Sequence, residues 1–566
     1  MENIIVVDCI STGVNFIEDI INRGYNPIVL ELKPSEDIVD KYNQKIISNY
    51  NRINEKFDMI YEKDTYEETL EAVRKVNPLL VVPGCEEGVV LATKLSDDLN
   101  LLGNSAENIG AMTLKHEMHK RLAENGLRYI KGKIIKSVDE AIDFCDDESL
   151  NEVVVKPIRS AGSCNVRVCL NKQEMVDTIE ELMGSTGYYG GNVQELLIQE
   201  RIDGDEYIVN TVSNDGWHRV TTIWKYSKVK TSEGAMIYDT IETVNTLGIS
   251  EAEMVEYAYK VADAIGIKYG PIHGEYMIDK DGPVLIEVNC RPCGGNMPAK
   301  FLDEISGQHE TDSILDSYLK PVRFRQKALQ RYGLQGHGAL KVFIVPEDIV
   351  ARSAPMADIS PNLKSYFKAD FDEMAEDGVF YIKTEDFHST CGIIYLVHKN
   401  NDVLQEDINF LRSLEKYAFA LVVSPELEKI EELDEDKLVS HLTEVVDNVS
   451  EYGTGLLITD QFLDTHSIVQ VGVDDISNIN EEFDYVIINL NKSLVEKKDY
   501  LVVELILDIL ERIKVGGIVF IPETTYKYYP GQRKGIEALM IVLDLRIEVP
   551  PYGVETGVIA SKDLIG

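Results

Sequence analysis

The sequence predicts a multidomain α/β and α+β protein. Near both ends of the chain, apolar strands alternate with amphipathic helices, a pattern typical of parallel sheets. Between these ends, a long hairpin pattern over 270–289 and shorter strand pairs indicate antiparallel sheet. A chain of 566 residues has room for roughly three to four domains of ~150 residues each.

The first 105 residues are predicted to form a small open α/β domain. The stretch "NIIVVDCISTGVNFIEDIINRGYNPIVLEL" reads as strand, loop, helix and strand, with Gly24 closing the helix. "PLLVVPGCEEGVVLATKLSDDLNLLGN" repeats the pattern around a turn at Pro83-Gly84. Helix-rich sequence containing "TLKHEMHKRLAENGL" follows from about 106 to 145.

The middle of the chain reads as strand pairs. "EVVVKPIRSAGSCNVRVCL" gives two strands around a Ser/Gly loop, and "NVQELLIQERIDGDEYIVNTVSNDG" gives helix, strand, turn and strand. The hairpin "GPIHGEYMIDKDGPVLIEVN" comes next, and 300–420 reads as mixed α/β sequence. A charged helix or linker is predicted at 424–444, followed by a last α/β region over 445–566.

Composition excludes several classes of partner. Ninety-seven acidic and 56 basic residues give a formal charge of −41, which repels nucleic-acid backbones and anionic lipid surfaces. No apolar stretch approaches the ~20 residues that span a bilayer, and Asp8 interrupts the apolar N-terminus, so no signal peptide is expected. Eight cysteines without a repeated spacing fit a reducing compartment, and we expect a cytoplasmic protein. Cys290 and Cys293 form a CxxC, but zinc needs two further ligands at a recognisable spacing.

The stretch "VLIEVNCRPCGGN" at 284–296 carries the first chemical signal. Glu287, Asn289 and Arg291 alternate along an apolar strand, so they project to one face, which becomes polar and charged. The alternative without a functional site is a solvent-facing strand with scattered charges. A register slip of one residue would also turn this set to the opposite face.

The preceding turn brings a second carboxylate to this face. "DKDGP" at 279–283 is a turn signal. A three-residue loop at 280–282 pairs Asp279 with Pro283 and sets Glu275 opposite Glu287. Like charges at opposed positions destabilise a strand pair. A hard divalent cation such as Mg²⁺ removes that conflict, and Asn289 adds a carbonyl oxygen to the same face.

The hairpin resembles the metal-binding hairpin of the ATP-grasp superfamily, and especially its amino-acid ligase branch. Four further segments resemble that branch in the same order and at its spacings: "VVPGCEEGVVLATKLSDDLNLLGN", "TLKHEMHKRLAENGL", "VVVKPIRSAGSCNV" and "IQERIDGDEYIV". The resemblance covers about residues 1–420. It implies an ATP-grasp domain over 106–320, with its lid at about 125–200, and a C-terminal part of the ligase module over 321–423.

The resemblance also implies roles for particular residues, in a site that uses ATP with Mg²⁺, or Mn²⁺ as an alternative. Lys115 and Lys156 would hold ATP phosphates, although Lys115 by itself reads as an exposed helix residue. The loop with Ser160, Gly162 and Ser163 would cradle phosphate, although alone it reads as a surface hairpin. By the same resemblance, Gln199 and Glu200 would contact adenine, and Glu206 would accept hydrogen bonds from the ribose. Glu275, Glu287 and Asn289 would bind the metal. Arg291 would neutralise acyl charge and bind the substrate, and His273 would orient the substrate, although it could instead be a packed structural histidine.

The last region resembles the later half of class I S-adenosylmethionine methyltransferases. "FDYVIINLNKSLVEKKDYLVVELILDILERIKVGGIVFIPE" at 483–523 carries this likeness, with Val515-Gly516-Gly517 in the place of a Gly-Gly turn. "LRIEVPPYGVETGVIASK" reads as the antiparallel strand pair that ends that fold. The glycine-rich turn that holds the cofactor is missing upstream, so we expect a methyltransferase-like domain with a degenerate site that serves in oligomer contacts or docking.

Three functions follow from these patterns. The leading hypothesis is an ATP-dependent ligase that activates a small carboxylate as an acylphosphate and joins it to an amine. An ATP-binding switch without catalysis is the first alternative, and a ligase with a working methyltransferase tail is the second. The expected partners are the small carboxylate and amine, with no nucleic acid or membrane, and self-association is left open.

Overall fold

The computed structural model divides the chain into two compact units. The first is formed mainly by Met1–Leu340, and the second mainly by the residues from Lys341 onward. The structure describes residues 1–34, 46–158, 165–185, 192–230, 236–345, 349–351, 360–371, 379–381, 383–384, 389–418, 455–459, 468–471, 483–489, 513–522, 545–548 and 557–562. Within these ranges, none of the helices is both long and apolar enough to cross a membrane.

An open parallel sheet forms the N-terminal part of the first unit, in agreement with the predicted α/β domain. Its strands lie in the order β3-β2-β1-β4. They are β1 (Asn3–Val7), β2 (Asn26–Glu31), β3 (Asp58–Tyr61) and β4 (Pro78–Pro83), with helices α1 (Asn15–Asn22), α2 (Tyr66–Lys75) and α3 (Gly88–Asp98). Ile4 and Val6 pack into one hydrophobic core and Ile5 and Val7 into another, because alternate residues of a strand face opposite sides of the sheet.

The strand order places a crevice between the carboxyl ends of β1 and β4. Open α/β sheets bind ligands at such reversals of strand order. Here the loops that follow the two strands approach closely, because Gly13 and Gly84 both lack a Cβ; a Cβ on Gly13 would overlap the Gly84 carbonyl group. The loop after β4 carries Glu86, which lies in the site described below.

A small antiparallel sheet with two helices occupies the predicted lid region. Its order is β5-β8-β6-β7. The elements are β5 (Gly132–Ile135), α6 (Val138–Glu148), β6 (Val153–Pro157), β7 (Arg167–Cys169), α7 (Lys172–Leu182) and β8 (Leu196–Glu200), preceded by helices α4 (Ile109–Thr113) and α5 (Lys115–Glu124). The prediction of a helix just before β8 is wrong. The Val193 N–H donates to the Ser185 carbonyl, the Val193 carbonyl accepts from the Gly184 N–H, and the Val193 side chain packs into the hydrophobic core of this sheet and its helices.

A larger antiparallel sheet positions the site. Its strands are β9 (Asp205–Asn214), β10 (Trp217–Lys230), β11 (Met236–Thr243), β12 (Tyr269–Asp279), β13 (Gly282–Asn289) and β14 (His337–Val342), in the order β13-β12-β9-β10-β11-β14. Helix α8 (Ile249–Ile265) packs against the face that includes Val209, Ile272 and Val288. Helices α9 (Ala299–Ser306), α10 (Glu310–Leu319) and α11 (Pro321–Ala328) follow β13, and α10 packs on Val212 of the opposite face.

The second unit contains two short strand pairs, a long helix and a six-stranded sheet. The pairs are β15 (Ile349–Ala351) with β17 (Val379–Tyr381) and β16 (Tyr366–Phe371) with β18 (Gly392–His398), and the helix is α12 (Asn401–Ala418). The last strands are β19 (Gly455–Thr459), β20 (Val469–Val471), β21 (Phe483–Asn489), β22 (Ile513–Pro522), β23 (Leu545–Glu548) and β24 (Gly557–Lys562), in the order β20-β19-β21-β22-β24-β23. The first four of this order run parallel and the last two form an antiparallel pair.

Two features predicted from the sequence fall in this unit, a glycine turn at 515–517 and a charged segment at 424–444. Val515-Gly516-Gly517 lies within β22, where the pairing with β21 is irregular, and not in a turn that precedes the strand. The predicted charged helix or linker at 424–444 lies outside the residues that the structure describes.

Candidate active site

The β12–β13 hairpin sets Glu275 directly opposite Glu287, as predicted, but by a different route. The loop has two residues and not three, because Asp279 pairs with Gly282 and Ile278 with Pro283. This register alone would misalign the two glutamates. An irregularity between Glu275 and Tyr276, which leaves Ile286 without a partner, restores their opposition.

The two opposed carboxylates have different electrostatic environments. Lys115, the first residue of α5, forms an ion pair with Glu287. Burial acts to raise the pKa of Glu287, but Lys115 and then Lys156 outweigh it, and the net pKa is lowered. Burial and the neighbouring Glu287 charge both raise the pKa of Glu275. The charged form is therefore favoured at Glu287 and disfavoured at Glu275.

The donor set at this point fits a hard divalent cation. Glu275, Glu287 and Asn289 provide two carboxylates and one amide on the same hairpin, and Asn289 Nδ2 donates to Glu287 Oε1 at 3.3 Å. Mg²⁺ binds such oxygen ligands and keeps positions for water and phosphate. The half-buried like-charge pair is the observation that supports the fit, since a cation would relieve its repulsion.

His273 is a packed residue beside these carboxylates. It pairs with Asn289 in the hairpin register, and Nδ1 lies 2.9 Å from Asn210 Oδ1. Burial and then Arg291 lower its pKa to about 3, so the imidazole is neutral. Nε2 lies 3.7 Å from Glu275 Oε1. These contacts favour the structural interpretation of His273, with a substrate role left as a prediction.

Three lysines converge on the carboxylates. Lys156, the residue before the end of the apolar strand β6, is buried and forms no ion pair among the described residues. Burial and the repulsion of Lys115 lower its pKa to about 8. Lys228 on β10 lies 2.6 Å from Glu206 Oε2 and 4.4 Å from the centre of the Tyr238 ring. The pKa of buried Glu206 is raised mainly by desolvation, which Lys228 partly offsets.

Arg291 lies just beyond β13 and faces the N-terminal domain. Its guanidinium is 3.4 Å from Glu86 Oε2 and donates to the Pro292 carbonyl at 3.0 Å. The loop that follows is anchored at two points. The Cys293 N–H donates to Glu310 Oε2 at 3.0 Å, and the Met297 N–H donates to the Thr12 hydroxyl at 3.0 Å. Arg291 thus sits on a loop fixed from two sides.

The predicted nucleotide residues divide into three cases. Gln199 is buried on β8, and its Nε2 has no hydrogen-bond partner in the described part of the chain, which leaves a donor available. Glu200 is occupied by the backbone, since its side chain accepts from the Lys131 N–H at 3.0 Å. Ser160, Gly162 and Ser163 lie outside the described residues. The roles assigned to Lys115, Lys156, Gln199, Glu200 and Glu206 stay predictions.

Comparison with known proteins identifies a domain family that matches part of the chain. Residues 150–300 match the ATP-grasp domain family. The crystal structure of L-amino acid ligase from Bacillus licheniformis superposes with a TM-score of 0.54 at 16% identity and covers 73% of this chain and 97% of its own. The N5-carboxyaminoimidazole synthase of Aspergillus clavatus, in complex with ADP and 5-aminoimidazole ribonucleotide, gives a TM-score of 0.52 at 12% identity over 73% of this chain and 98% of its own. The predicted ATP-grasp fold is confirmed.

One curated relative extends the likeness beyond the matched domain. Dapdiamide A synthase of Enterobacter agglomerans is 26% identical over 422 residues, which are 73% of this chain and 96% of the synthase. The similarity thus spans nearly the whole length of a relative that is a synthase.

Three residues at the site were missed by the sequence analysis. Lys228 stands in a lysine-rich strand, near Lys225 and Lys230, that reads as an exposed edge. Glu86 stands in an acidic "CEEG" turn whose distance from Arg291 in sequence hides their contact. Glu310 starts α10 and reads as an ordinary acidic residue in a first helical turn. Only tertiary contacts reveal these three.

Proposed function

We propose that this ATP-grasp protein is an ATP-dependent carboxylate–amine ligase. A substrate carboxylate oxygen attacks the γ-phosphorus of ATP, which forms an acylphosphate and releases ADP. An amine nitrogen then attacks the acyl carbon, the carbon–nitrogen bond forms, and phosphate and a proton leave. The observation that carries the proposal is the meeting of the Glu275–Glu287 pair, three lysines and Arg291 at one end of an ATP-grasp sheet.

The arrangement suits phosphoryl transfer, which demands positioning and charge neutralisation rather than a protein nucleophile. Glu275, Glu287 and Asn289 would hold Mg²⁺, which supplies positive charge against the phosphates when bound. Lys156 is suited to an anionic phosphate, because its side chain is buried and forms no ion pair within the described residues. Lys115 can exchange its ion pair with Glu287 for one with a phosphate oxygen, and Lys228, paired with Glu206, can do the same.

Arg291 is proposed to hold the substrate carboxylate. Its planar guanidinium can make a two-point contact with a carboxylate, which a lysine cannot reproduce. Glu86 orients the guanidinium but is partly exposed, so it leaves room for a competing anion. The names of two similar proteins, dapdiamide A synthase and L-amino acid ligase, support an amino acid as one of the substrates.

For the adenine and ribose, we propose which residues make contact but not the individual hydrogen bonds. Gln199 has a free buried donor suited to a base edge, and Glu206 is an acceptor for ribose hydroxyls once Lys228 turns to phosphate. The loop with Ser160, Gly162 and Ser163 is proposed as the phosphate cradle on the resemblance alone. We also propose that the N-terminal domain ends at residue 105, the ATP-grasp domain at 320 and the C-terminal part of the ligase module at 423.

The C-terminal region is proposed to have a methyltransferase-like fold. The order of its six described strands, four parallel strands followed by an antiparallel pair, supports this proposal. Because "GTG" at 453–455 leads into β19, which begins at Gly455, and does not follow this strand, we propose a degenerate cofactor site. Calorimetry with S-adenosylmethionine tests this point: heat of binding at high protein concentration would favour the bifunctional alternative.

The test of the ligase is ADP release from Mg-ATP across a matrix of amino acids and other small carboxylates, with and without amines. ADP release that requires both a carboxylate and an amine, together with a product of the summed mass less water, supports the proposal. The Glu287→Gln variant is the negative control. ATP binding without turnover on any pair of substrates would favour the nucleotide-switch alternative.

A further inference from the structure

A cluster of positive charge lies between strand β10 and helices α10 and α11. Arg219 of β10 donates to the side-chain oxygen of Gln308 at 3.2 Å and to the hydroxyl of Ser313, on α10, at 3.1 Å. Lys327 of α11 donates to the same oxygen of Gln308. Two cations therefore share one neutral amide oxygen, in a chain whose formal charge is −41.

Neither of these cations has a carboxylate partner among the residues that the structure describes. Two aspartates of the adjoining helix α10 are engaged by other groups. Arg23 pairs with both Asp312 and Asp316. Lys320 Nζ lies 3.5 Å from Asp316 Oδ1 as well. The aspartates are thus committed elsewhere, and the positive charge of the cluster is left without a direct counter-ion in this part of the chain.

Repulsion acts within the cluster. Burial and then the charges of Arg219 and Arg323 lower the pKa of Lys327, and the two aspartates offset only part of this effect. Burial also lowers the pKa of Arg219. Arg323 precedes Lys327 by one turn of α11 and is exposed. A bound anion would therefore favour the charged forms of all three residues.

The sequence of α11 concentrates basic residues at this place. The stretch 320–331, "KPVRFRQKALQR", contains five basic residues and no acidic one. Arg325 is engaged by the end of β9 and the turn that follows, since it donates to Asn214 at 2.8 Å and lies 3.2 Å from Asp215. The local excess of positive charge is opposite in sign to the charge of the whole chain, so it attracts small anions that the rest of the surface repels.

The Arg219 guanidinium presents a free edge with two donors. Both of its hydrogen bonds use Nη1. The Nε–H and one Nη2–H point in the same direction from the planar group, and neither nitrogen has a hydrogen-bond partner in the described residues. Arg219 and Lys327 are both half-buried, so solvent reaches each side chain. The fixed contacts to Gln308 and Ser313 thus orient a donor pair that is still available.

The cluster is distinct from the proposed nucleotide site. Arg219 pairs with Val212 in the register of β9 and β10, whereas Lys228 lies nine positions further along β10, beside Glu206. Nine residues of a strand span roughly 30 Å at ~3.3 Å per residue. A small ligand bound at Arg219 therefore does not reach the lysines that face the hairpin carboxylates.

We propose that Arg219, Arg323 and Lys327 form a binding site for a phosphate dianion, either free phosphate or the end of a phosphomonoester. The two parallel donors of Arg219 match two oxygens of a phosphate, and the ammonium of Lys327 adds a point charge. Three positive charges suit a dianion better than a single carboxylate, which would leave more of the repulsion in place. This binding site is independent of the ligase reaction.

Calorimetric titration of the full chain with inorganic phosphate tests the site. Wild type and Lys156→Gln are both titrated at pH 8 and constant ionic strength, with sodium chloride as the reference titrant. We expect saturable binding of phosphate in both proteins and none of chloride. Equal heats with the two anions, or no saturable heat with phosphate, overturn the proposal. Binding that disappears in Lys156→Gln would assign the phosphate to the nucleotide site and overturn it too.

Variants then assign the binding to the cluster. Lys327→Gln retains an N–H donor for Gln308 but removes the charge, and we expect the Kd of phosphate to rise about tenfold or more. The free energy of unfolding in phosphate-free buffer should not fall, because the charge that is lost is repelled by its neighbours. Arg331→Gln is the matched control, since it makes the same change of charge at an exposed position of the same basic stretch. Unchanged affinity in Lys327→Gln, or equal weakening in both variants, overturns the assignment.

Two further measurements define the contact and the source of the phosphate. Arg219→Lys keeps the charge but loses the parallel donors, so it should also weaken phosphate binding, and wild-type affinity in this variant would contradict the two-point contact. Titration with glycerol 3-phosphate distinguishes the two sources. Binding of both compounds through Lys327 indicates a phosphomonoester ligand, and binding of inorganic phosphate alone indicates the free anion. Either result supports the site, and binding of neither overturns it.

Discussion

Glu275 and Glu287 form a directly opposed pair across β12 and β13, and within this pair Glu287 is the residue in contact with a lysine. The two glutamates share one position in the hairpin but differ in their electrostatic environment. Their substitution should therefore affect stability differently and catalysis alike. Glu287 is stabilised as an anion by Lys115, whereas burial and Glu287 itself disfavour the charge of Glu275.

Substitution of the two glutamates should therefore change stability in opposite directions. In EDTA at pH 8, Glu287→Gln removes the partner of buried Lys115 and should lower the free energy of unfolding by about 1–3 kcal/mol. Glu275→Gln removes a repelling charge and should raise it by a similar or smaller amount. Urea unfolding measures both, with Glu304→Gln as the exposed control. Destabilisation by both substitutions would contradict the electrostatic description.

The same two variants should fail alike in turnover. Both remove a carboxylate ligand of the proposed Mg²⁺ site, and loss of even an outer contact at a metal site costs ~10–100-fold in affinity or activity. We expect ADP release to fall at least about 100-fold in each variant. If Glu275→Gln were more stable than wild type and also retained near wild-type turnover, the hairpin would not hold the metal.

Arg291 should be sensitive to the shape of its head group as well as to its charge. Arg291→Lys retains a positive charge but loses the planar pair of donors that matches a carboxylate. We expect kcat/KM for the carboxylate substrate to fall by roughly 10–100-fold, with the KM of ATP unchanged. Steady-state kinetics measures this, and Arg331→Lys serves as the control because Arg331 is exposed. Equal losses for ATP and carboxylate would place Arg291 on the phosphate instead.

The hairpin shows how far sequence can predict this site. Alternation along 284–291 predicts the polar face, and the turn at 279–283 predicts the pairing of Glu275 with Glu287. The pair exists, but the loop is one residue shorter than predicted. The resulting shift of register is reversed by an irregularity at Ile286. No local pattern distinguishes these two routes, because a bulge depends on packing against neighbouring strands.

Contacts between distant segments were beyond prediction. Glu86 and Arg291 are 205 positions apart, and the Glu310 contact to Cys293 links a helix start to a loop. In each case the single residue has an ordinary local explanation, an acidic turn or a helix N-terminus. Only the fold of the N-terminal sheet and the α9–α10 segment brings these charges to one place.

Lys156 should make nucleotide affinity depend on pH. In the free protein, burial and then Lys115 lower the pKa of Lys156 to about 8. A bound phosphate favours the ammonium, so above pH 8 binding requires proton uptake and affinity should fall by up to about tenfold per pH unit. Calorimetry with a non-hydrolysable ATP analogue between pH 7 and 9.5 measures this. The slope should vanish in Lys156→Gln and persist in Lys120→Gln, a control at an exposed position of α5; a persistent slope in Lys156→Gln would contradict the assignment.

His309 should make the stability of the first unit depend on pH. Its Nε2 lies 2.9 Å from Asp19 of α1, and its Nδ1 lies 2.9 Å from Asp303 of α9. Burial opposes the charge, but the two carboxylates raise its pKa from 6.5 to about 9. Because the folded pKa exceeds the unfolded one, the stabilisation is complete below pH 6.5 and is lost as the pH rises through about 9.

The expected loss is on the order of 3–4 kcal/mol, since each unit of pKa shift corresponds to ~1.4 kcal/mol. Urea unfolding of wild type and His309→Gln at several pH values between 6 and 10 tests the prediction. The difference in free energy of unfolding should be largest at pH 6 and shrink towards pH 10, where the neutral imidazole no longer attracts Asp19. His398→Gln is the control, because His398 contacts the backbone of Asn400 instead of a carboxylate. A difference that stays constant with pH would mean that His309 acts by packing and hydrogen bonding alone, without a charge.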